Sequence, residues 1–486
     1  MQLLQDFISS LSYDSTAPLL FNSTFFLFFF IVILVFYPLV ANKVKTRTWY
    51  LMLVSLYFYY KTSGAFILLL ILTSFVNFGL GSLIYKSRSK ASKRGYLLLS
   101  LVWNLGTLGY YKYTNFLFQI INQVFGGQLP MLDIILPVGI SFFTFQTWSY
   151  TLDIYFGKLK PLHSFKDFTF FVSFFPQLVA GPIVRASYFI PQIRKNVYLD
   201  KDTIARALVL IFSGLLKKGV IADYLSINFV DRIFENPALF SGMENLLGVY
   251  AYALQIYCDF SGYSDIAIGL AALLGFQLPV NFLSPYRATS VTDFWRRWHI
   301  SLSTWLRDYL YIPLGGNRKG KARQYLNLMV TMLLGGLWHG ASWNFVFWGG
   351  LHGLVLAFDK LILGLKFMQT KAMQAISIIV TFHFVCFCWI FFRAHDFTTS
   401  WLIISRIFTE FNGGIFWQWL TEYRIVAILI GAGFVFHWMP DSFELGFEKL
   451  LRKMPLVFQA FILAIVIWIL FQARSAEIQP FIYFQF

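Results

Sequence analysis

Runs of about twenty apolar residues, each long enough to cross a bilayer as a helix, recur along this chain and constrain its fold more than any other feature. The first lies near 24–41 and includes FFLFFF at Phe25–Phe30. Others lie near 65–84, 96–112, 134–155, 204–223, 325–347, 372–393, 424–439 and 455–472. In hydrocarbon every backbone N–H and C=O must be satisfied within the segment, which selects helices for runs of this length. The stretch 49–60 is short and is expected to let Lys61 snorkel to the interface. The stretch 245–276 is long and interrupted by Asp259 and Asp265, while 168–184 carries Pro176, Gly181 and Pro182 and reads as a broken or re-entrant helix. The expected fold class is all-α. It is a polytopic membrane protein of about eleven transmembrane helices with re-entrant and interfacial helices, forming one domain over residues 1–486.

Composition removes the soluble alternative. Hydrophobic residues make up 58% and charged residues 13%, against about 45–50% and 25% in soluble domains. A larger core cannot absorb the excess, because single cores stop growing near 250–300 residues. It must face lipid.

Lys and Arg number 39 against 23 acidic residues, for a net charge of +16. The cations sit in short loops between apolar runs, which accounts for them by topology and argues against nucleic acid as a partner. Loops 42–48, 85–95 and 156–167 carry Lys43, Lys45 and Arg47, then Lys86, Arg88, Lys90, Lys93 and Arg94, then Lys158, Lys160 and Lys166. The intervening tips are almost free of cations. The positive-inside rule makes these three loops cytoplasmic, along with 316–324, and places residues 1–23 outside the cytoplasm. A polar stretch with Asp6 and Asp14 precedes the first run in place of a basic leader, so that run is expected to anchor itself. Cys258, Cys386 and Cys388 lie in apolar surroundings without a paired motif and read as buried, inert thiols.

Polar density rises between Asp259 and His352. Asp259 and Asp265 are expected to pair, with Arg296 or Arg297 as the natural partners. Ser290 and Asp293 resemble a capping box that starts a helix near 291. Along it Trp295, Trp298, Leu302 and Trp305 form an aromatic stripe beside His299, and Arg296, Arg297 and Arg307 make it amphipathic and interfacial. In the next helix His339 lies about 14 residues in, roughly 20 Å from the cytoplasmic surface at 1.5 Å per residue. An ionisable residue at that depth is a functional candidate. Gly335, Gly336 and Gly340 permit close approach of another helix or a ligand.

An imidazole with an ordinary pKa near 6.5 is suited to proton or acyl transfer at neutral pH. His352, His383 and His437 read as helix-to-helix hydrogen bonds, and His163 and His395 as loop or helix-end residues. HExxH, GxSxG and P-loop motifs are absent from the sequence. No metal or bound cofactor is expected. From these residues alone, an enzyme using histidine in direct transfer stands ahead of a transporter or flippase with a proton path.

Four segments carry a resemblance. FPQLVAGPIVR (Phe175–Arg185), DFSGYSD (Asp259–Asp265), FWRRWHISLSTWLRDYLYIPLGGNR (Phe294–Arg318) and GLWHGASWNFVFWGGLHG (Gly336–Gly353) resemble the membrane-bound O-acyltransferase family, and its alginate O-acetyltransferase branch in particular. WIFFRA (Trp389–Ala394) and PFIYFQF (Pro480–Phe486) are similar to that branch too. The resemblance implies a multi-pass enzyme of the cell's inner membrane that moves an acyl group, in the main acetyl, toward hydroxyls of an exported cell-surface polysaccharide. It further implies a central tunnel reaching His339 from the cytoplasm. His339 matches the family's catalytic histidine and His299 its second polar partner. Arg185, Trp298, Trp338, Asn344 and Asp308 are the implied substrate-binding residues. The implied donor is acetyl-CoA or a carrier-protein thioester, and a separate periplasmic or extracellular acetyltransferase is the implied partner. D-alanyl transfer to teichoic acid and peptidoglycan O-acetylation share the signature.

Overall fold

The helices begin where the sequence places short polar caps before apolar runs. Ser23 Oγ accepts from Phe26 N at 3.1 Å to start Thr24–Val40, and Ser164 Oγ accepts from Asp167 N at 3.3 Å to start Phe165–Ser173. Thr370 and Asp396 cap Lys371–Arg393 and Phe397–Thr409 in the same way. Each cap satisfies one of the amide groups that a helix end leaves open. The computed structural model describes residues 11–15, 18–362 and 370–473. Much of segment 1–23, with Asp6, and the PFIYFQF terminus lie outside the described residues. Secondary structure among the described residues is helical throughout.

Three helical segments are long and apolar enough to cross a membrane: Val44–Lys86, Trp343–Ile362 and Lys371–Arg393. A fourth arises if Gly413–Glu422 and Arg424–Trp438, bent by 98°, count as one span. The expectation of eleven passes exceeds what length and apolarity alone support among the described residues. Many of the other helices are shorter, charged at one end or interrupted. Helix Lys90–Leu108, for instance, passes into a π turn at Gly109–Tyr113.

The chain divides into two compact units, Met1–Ala207 with Ile266–Pro279, and Leu208–Asp265 with Val280–Phe486. In the first unit, helices Ile67–Lys86, Lys90–Leu108 and Ile140–Tyr155 are joined by polar side chains. Asn77 and Asn104 exchange amide hydrogen bonds at 3.2 and 2.8 Å. Ser100 Oγ donates to Asn77 Oδ1 at 3.0 Å and lies 2.9 Å from Thr151 Oγ1, and Thr147 Oγ1 donates to Asn104 Oδ1 at 3.1 Å. All five residues are buried. Such hydrogen bonds hold helices together where no hydrophobic force between helices exists. An apolar groove of about 660 Å³ runs between Ile67–Lys86 and Lys90–Leu108, past Phe75, Leu83, Val102 and Trp103.

Two basic residues of this unit depart from the topological reading. The helix expected at 49–60 begins at Val44, so Arg47 is inside it. Its guanidinium is buried and donates to the carbonyls of Ala41, Ile193 and Lys195 at 3.0, 2.8 and 2.7 Å. Lys61 does not snorkel: it is buried, donates to the Ser12 carbonyl and lies over the Phe25 ring. In both cases unsatisfied carbonyls compete successfully with water for the cation. Stretch 168–184 is broken as expected, with Phe165–Ser173, the short Phe175–Leu178 and then non-helical backbone. Residues Val179–Val184 are buried, which is how irregular backbone survives away from water.

In the second unit the carboxylates find other partners than expected. Lys217 binds Asp265 at 2.7 Å, and Lys218 bridges Asp259 at 2.5 Å and Asp223 at 2.8 Å. Arg297 instead binds Asp293 at 2.9 Å. The cause is a close helix approach. A Cβ at Gly262 would lie 2.8 Å from the Gly214 carbonyl oxygen and 3.0 Å from Lys218 N, so glycine lets the two backbones meet between the two aspartates. Cys258, Cys386 and Cys388 are buried free thiols, as expected.

Candidate active site

From Ser290 onward the segment of highest polar density folds into two short helices and a helical hairpin, all in the second unit. Ser290 Oγ accepts from Asp293 N at 3.0 Å, and helix Val291–Arg297 starts there, as the capping box predicts. It does not continue through the tryptophan stripe. Trp298 is extended and His299 adopts a left-handed conformation, φ 43°, before a new helix over Ile300–Leu306. The predicted stripe is therefore cut in two. A non-glycine residue in that region is a strained position that the surroundings must hold, a pattern common at functional sites.

What holds His299 is a polar residue outside the expected site. Asn281 Oδ1 accepts the Ser301 backbone N–H at 3.1 Å and the Ser301 hydroxyl at 2.9 Å, and lies 3.3 Å from His299 Nδ1. An amide oxygen only accepts, so Nδ1 carries the proton and the lone pair is left on Nε2. The imidazole is fully buried, edge-on to Phe260 at 4.6 Å and 6.0 Å from the Trp338 ring.

The single apolar run at 325–347 becomes two helices, Lys321–His339 and Trp343–Ile362. The break is built by glycines. A Cβ at Gly336 would lie 2.1 Å from the Phe345 carbonyl oxygen, at Gly349 2.3 Å from the Met332 carbonyl oxygen, and at Gly340 2.0 Å from the Phe345 ring. No side chain fits at these points, and the two arms close into a tight hairpin whose turn follows His339. His339 is thus the last residue of its helix. Its imidazole is buried among Trp338 at 5.0 Å, Trp348 at 5.1 Å and Phe392 at 5.2 Å, all near perpendicular. Both histidines therefore touch one indole, that of Trp338.

The other expected site residues are placed as follows. Trp298 packs on Phe282, Phe294 and Trp389 at 5.0, 5.6 and 5.1 Å and walls the same aromatic cluster. Asn344 is buried, and its amide donates to the Ala394 carbonyl at 2.9 Å. Asp308 pairs with its neighbour Arg307 at 2.7 Å, on a π turn over Arg307–Tyr311. Arg185 belongs to the first unit, where it precedes helix Ala186–Ile193 and its carbonyl accepts from Tyr188 and Phe189. Sequence reasoning missed Asn281, Trp348, Trp389 and Phe392. Trp348 was findable, since it stands four residues before His352 on the same helix face. Asn281 lies in a loop with no periodicity to mark it.

The sequence model of the membrane-bound O-acyltransferase family matches residues 129–401. This chain belongs to that family. The match takes in both histidine segments and the glycine hairpin. Among curated relatives, a probable alginate O-acetylase of Pseudomonas aeruginosa is 42% identical over 328 residues, 66% of this chain and 62% of that protein. A peptidoglycan O-acetyltransferase of Helicobacter pylori is 38% identical over 392 residues, 75% of this chain and 74% of its own length. A teichoic acid D-alanyltransferase of Bacillus subtilis is 29% identical over 287 residues, 55% of this chain and 71% of its own. The chain thus spans somewhat under two thirds of the alginate O-acetylase it matches. Two buried imidazoles against one indole lie inside the region that the family model matches.

Proposed function

We propose that this protein is an O-acetyltransferase of the cell's inner membrane, moving an acetyl group from a cytoplasmic thioester toward hydroxyls of an exported cell-surface polysaccharide. The observation that carries the reading is the pair His299 and His339, buried on one indole within the family's matched region. His339 is the general base. The accepting hydroxyl gives its proton to His339 as its oxygen bonds to the thioester carbonyl carbon. The C–S bond then breaks, and the thiolate takes the proton back from the imidazolium. General-base help of this kind is worth about 10²–10⁴-fold.

His299 holds one reacting group by hydrogen bond, its ring oriented by Asn281. Trp298 and Trp338 shape the pocket, and Asn344 braces its wall through Ala394. Arg185 and Asp308 are each assigned to substrate binding, and the donor enters through a tunnel open to the cytoplasm. Acetyl-CoA is the donor, and a periplasmic or extracellular acetyltransferase completes delivery to the polymer. Relatives named for O-acetylation, at 38–43% identity, support acetyl over the D-alanyl group named for a relative at 29%.

The test is thioester cleavage of acetyl-CoA by the purified protein with a glycan acceptor, alone and with its partner transferase. His339→Ala and His299→Ala variants of unchanged elution volume are compared with wild type. Loss of turnover in His339→Ala establishes the base. Equal turnover by wild type and His339→Ala overturns it.

A further inference from the structure

His352 was expected to be an ordinary helix-to-helix hydrogen bond, and half of it is one. Its Nδ1 lies 3.2 Å from Trp295 Nε1, joining helix Trp343–Ile362 to Val291–Arg297. An indole nitrogen can only donate, so Nδ1 must hold the lone pair and Nε2 must carry the proton. The ring is fully buried, yet that Nε2–H has no acceptor among the described residues. The same is true of Trp348, which is 1% exposed and whose Nε1–H also lacks an acceptor there. The two residues stand one helical turn apart on one face, with rings 4.7 Å apart. Trp348 in turn packs edge-on against His339 at 5.1 Å.

A buried donor left without an acceptor is costly and calls for an explanation. Two of them, side by side next to the proposed base of an acyl-transfer site, are what an oxyanion requires: neutral N–H donors fixed before reaction in a buried site. We propose that His352 Nε2–H and Trp348 Nε1–H bind the carbonyl oxygen of the thioester and stabilise the charge that develops on it. Trp295 sets the tautomer of His352 that makes this possible and is a positioning residue. The inference rests on the acyltransferase reading above. As the hydroxyl oxygen bonds to the carbonyl carbon and its proton passes to His339, the C=O electron pair moves onto oxygen, facing the two donors. Collapse of that oxyanion restores C=O and expels the thiolate, which takes the proton from His339.

The test uses the full-length protein with acetyl-CoA and two variants that keep shape but remove a donor. Trp348→Phe keeps an aromatic ring, and His352→Asn keeps an acceptor for Trp295 while losing the Nε2–H. Each is expected to lower kcat by about 10²–10³-fold, the effect of removing one oxyanion-hole donor, with KM for acetyl-CoA nearly unchanged. The second readout is independent of turnover. In the His339→Ala background, the carbonyl stretch of bound acetyl-CoA labelled with ¹³C at C1 is expected at lower frequency than in solution. Adding Trp348→Phe or His352→Asn should return it toward the solution value. A solution-like frequency in His339→Ala, or wild-type kcat in both donor variants, overturns the inference and leaves the acyltransferase reading intact. Absence of acetyl-CoA binding by wild type overturns the donor identity and this inference with it.

Discussion

Two clusters of buried polar side chains, one in each unit, are hydrogen-bonded to different degrees. In the first, both amide groups of Asn77 and Asn104 are fully used, by each other and by Thr73, Ser100 and Thr147. In the second, His352 and Trp348 are equally buried but each presents a donor that nothing in the described protein accepts. A closed network spends its polarity on holding helices together. An open one retains hydrogen-bonding capacity for something that arrives later. Burial alone does not separate glue from site; incomplete hydrogen bonding beside the two histidines is what sets this cluster apart. The second unit also contains closed polarity of its own, in the Lys218 bridge to Asp223 and Asp259. The contrast is therefore between kinds of network and not between halves of the chain.

That contrast can be broken by substitution, and the largest effect is expected at the proposed base. His339→Ala should reduce acyl transfer by about 10²–10⁴-fold with an unchanged thermal midpoint, measured on the same detergent preparation. Next comes the closed ion network. Lys218→Ala removes the cation shared by buried Asp259 and half-buried Asp223 and should cost about 3–5 kcal/mol of stability. A denaturation series in which it matched wild type would show that water reaches this cluster. Gly336→Ala should cost about 1–3 kcal/mol by overpacking, because the new methyl meets the Phe345 carbonyl at 2.1 Å. It should lower activity too, since that crossing sets where the helix ends and where His339 stands. The smallest effect belongs to the closed network of the first unit. Asn104→Ala should lower the unfolding free energy by about 0.6–1.7 kcal/mol, with transfer per folded molecule unchanged. A strong activity loss there would erase the distinction between glue and site.

Much of this was open to a reader of the sequence, for local reasons. Apolar run length dictates helix, and Ser290 with Asp293 dictates where one begins. The two histidine segments carry the most specific part of the resemblance and lie inside the matched region 129–401. Spacing also held a signal that went unused: Ser100 with Asn104 and Thr147 with Thr151 stand four apart inside apolar runs, which marks a polar face on each helix. The extension of the tryptophan stripe through residue 299 failed because periodicity cannot register a single left-handed residue. The run 325–347 looked continuous because glycine counts as apolar, although here it marks the turn between two helices.

The sequence by itself determined what depends on neighbours along the chain: a helical membrane protein, its caps, its family and the identity of two histidines. Tertiary structure alone decided which residues complete those histidines. Asn281 orients His299, Trp338 is shared by both rings, and Lys217 and Lys218 capture the aspartates that Arg296 and Arg297 were expected to hold. Each is a contact between segments far apart in the chain. Their pairing follows from which glycines let backbones approach and which buried donors still need an acceptor, and neither quantity exists until the helices have packed.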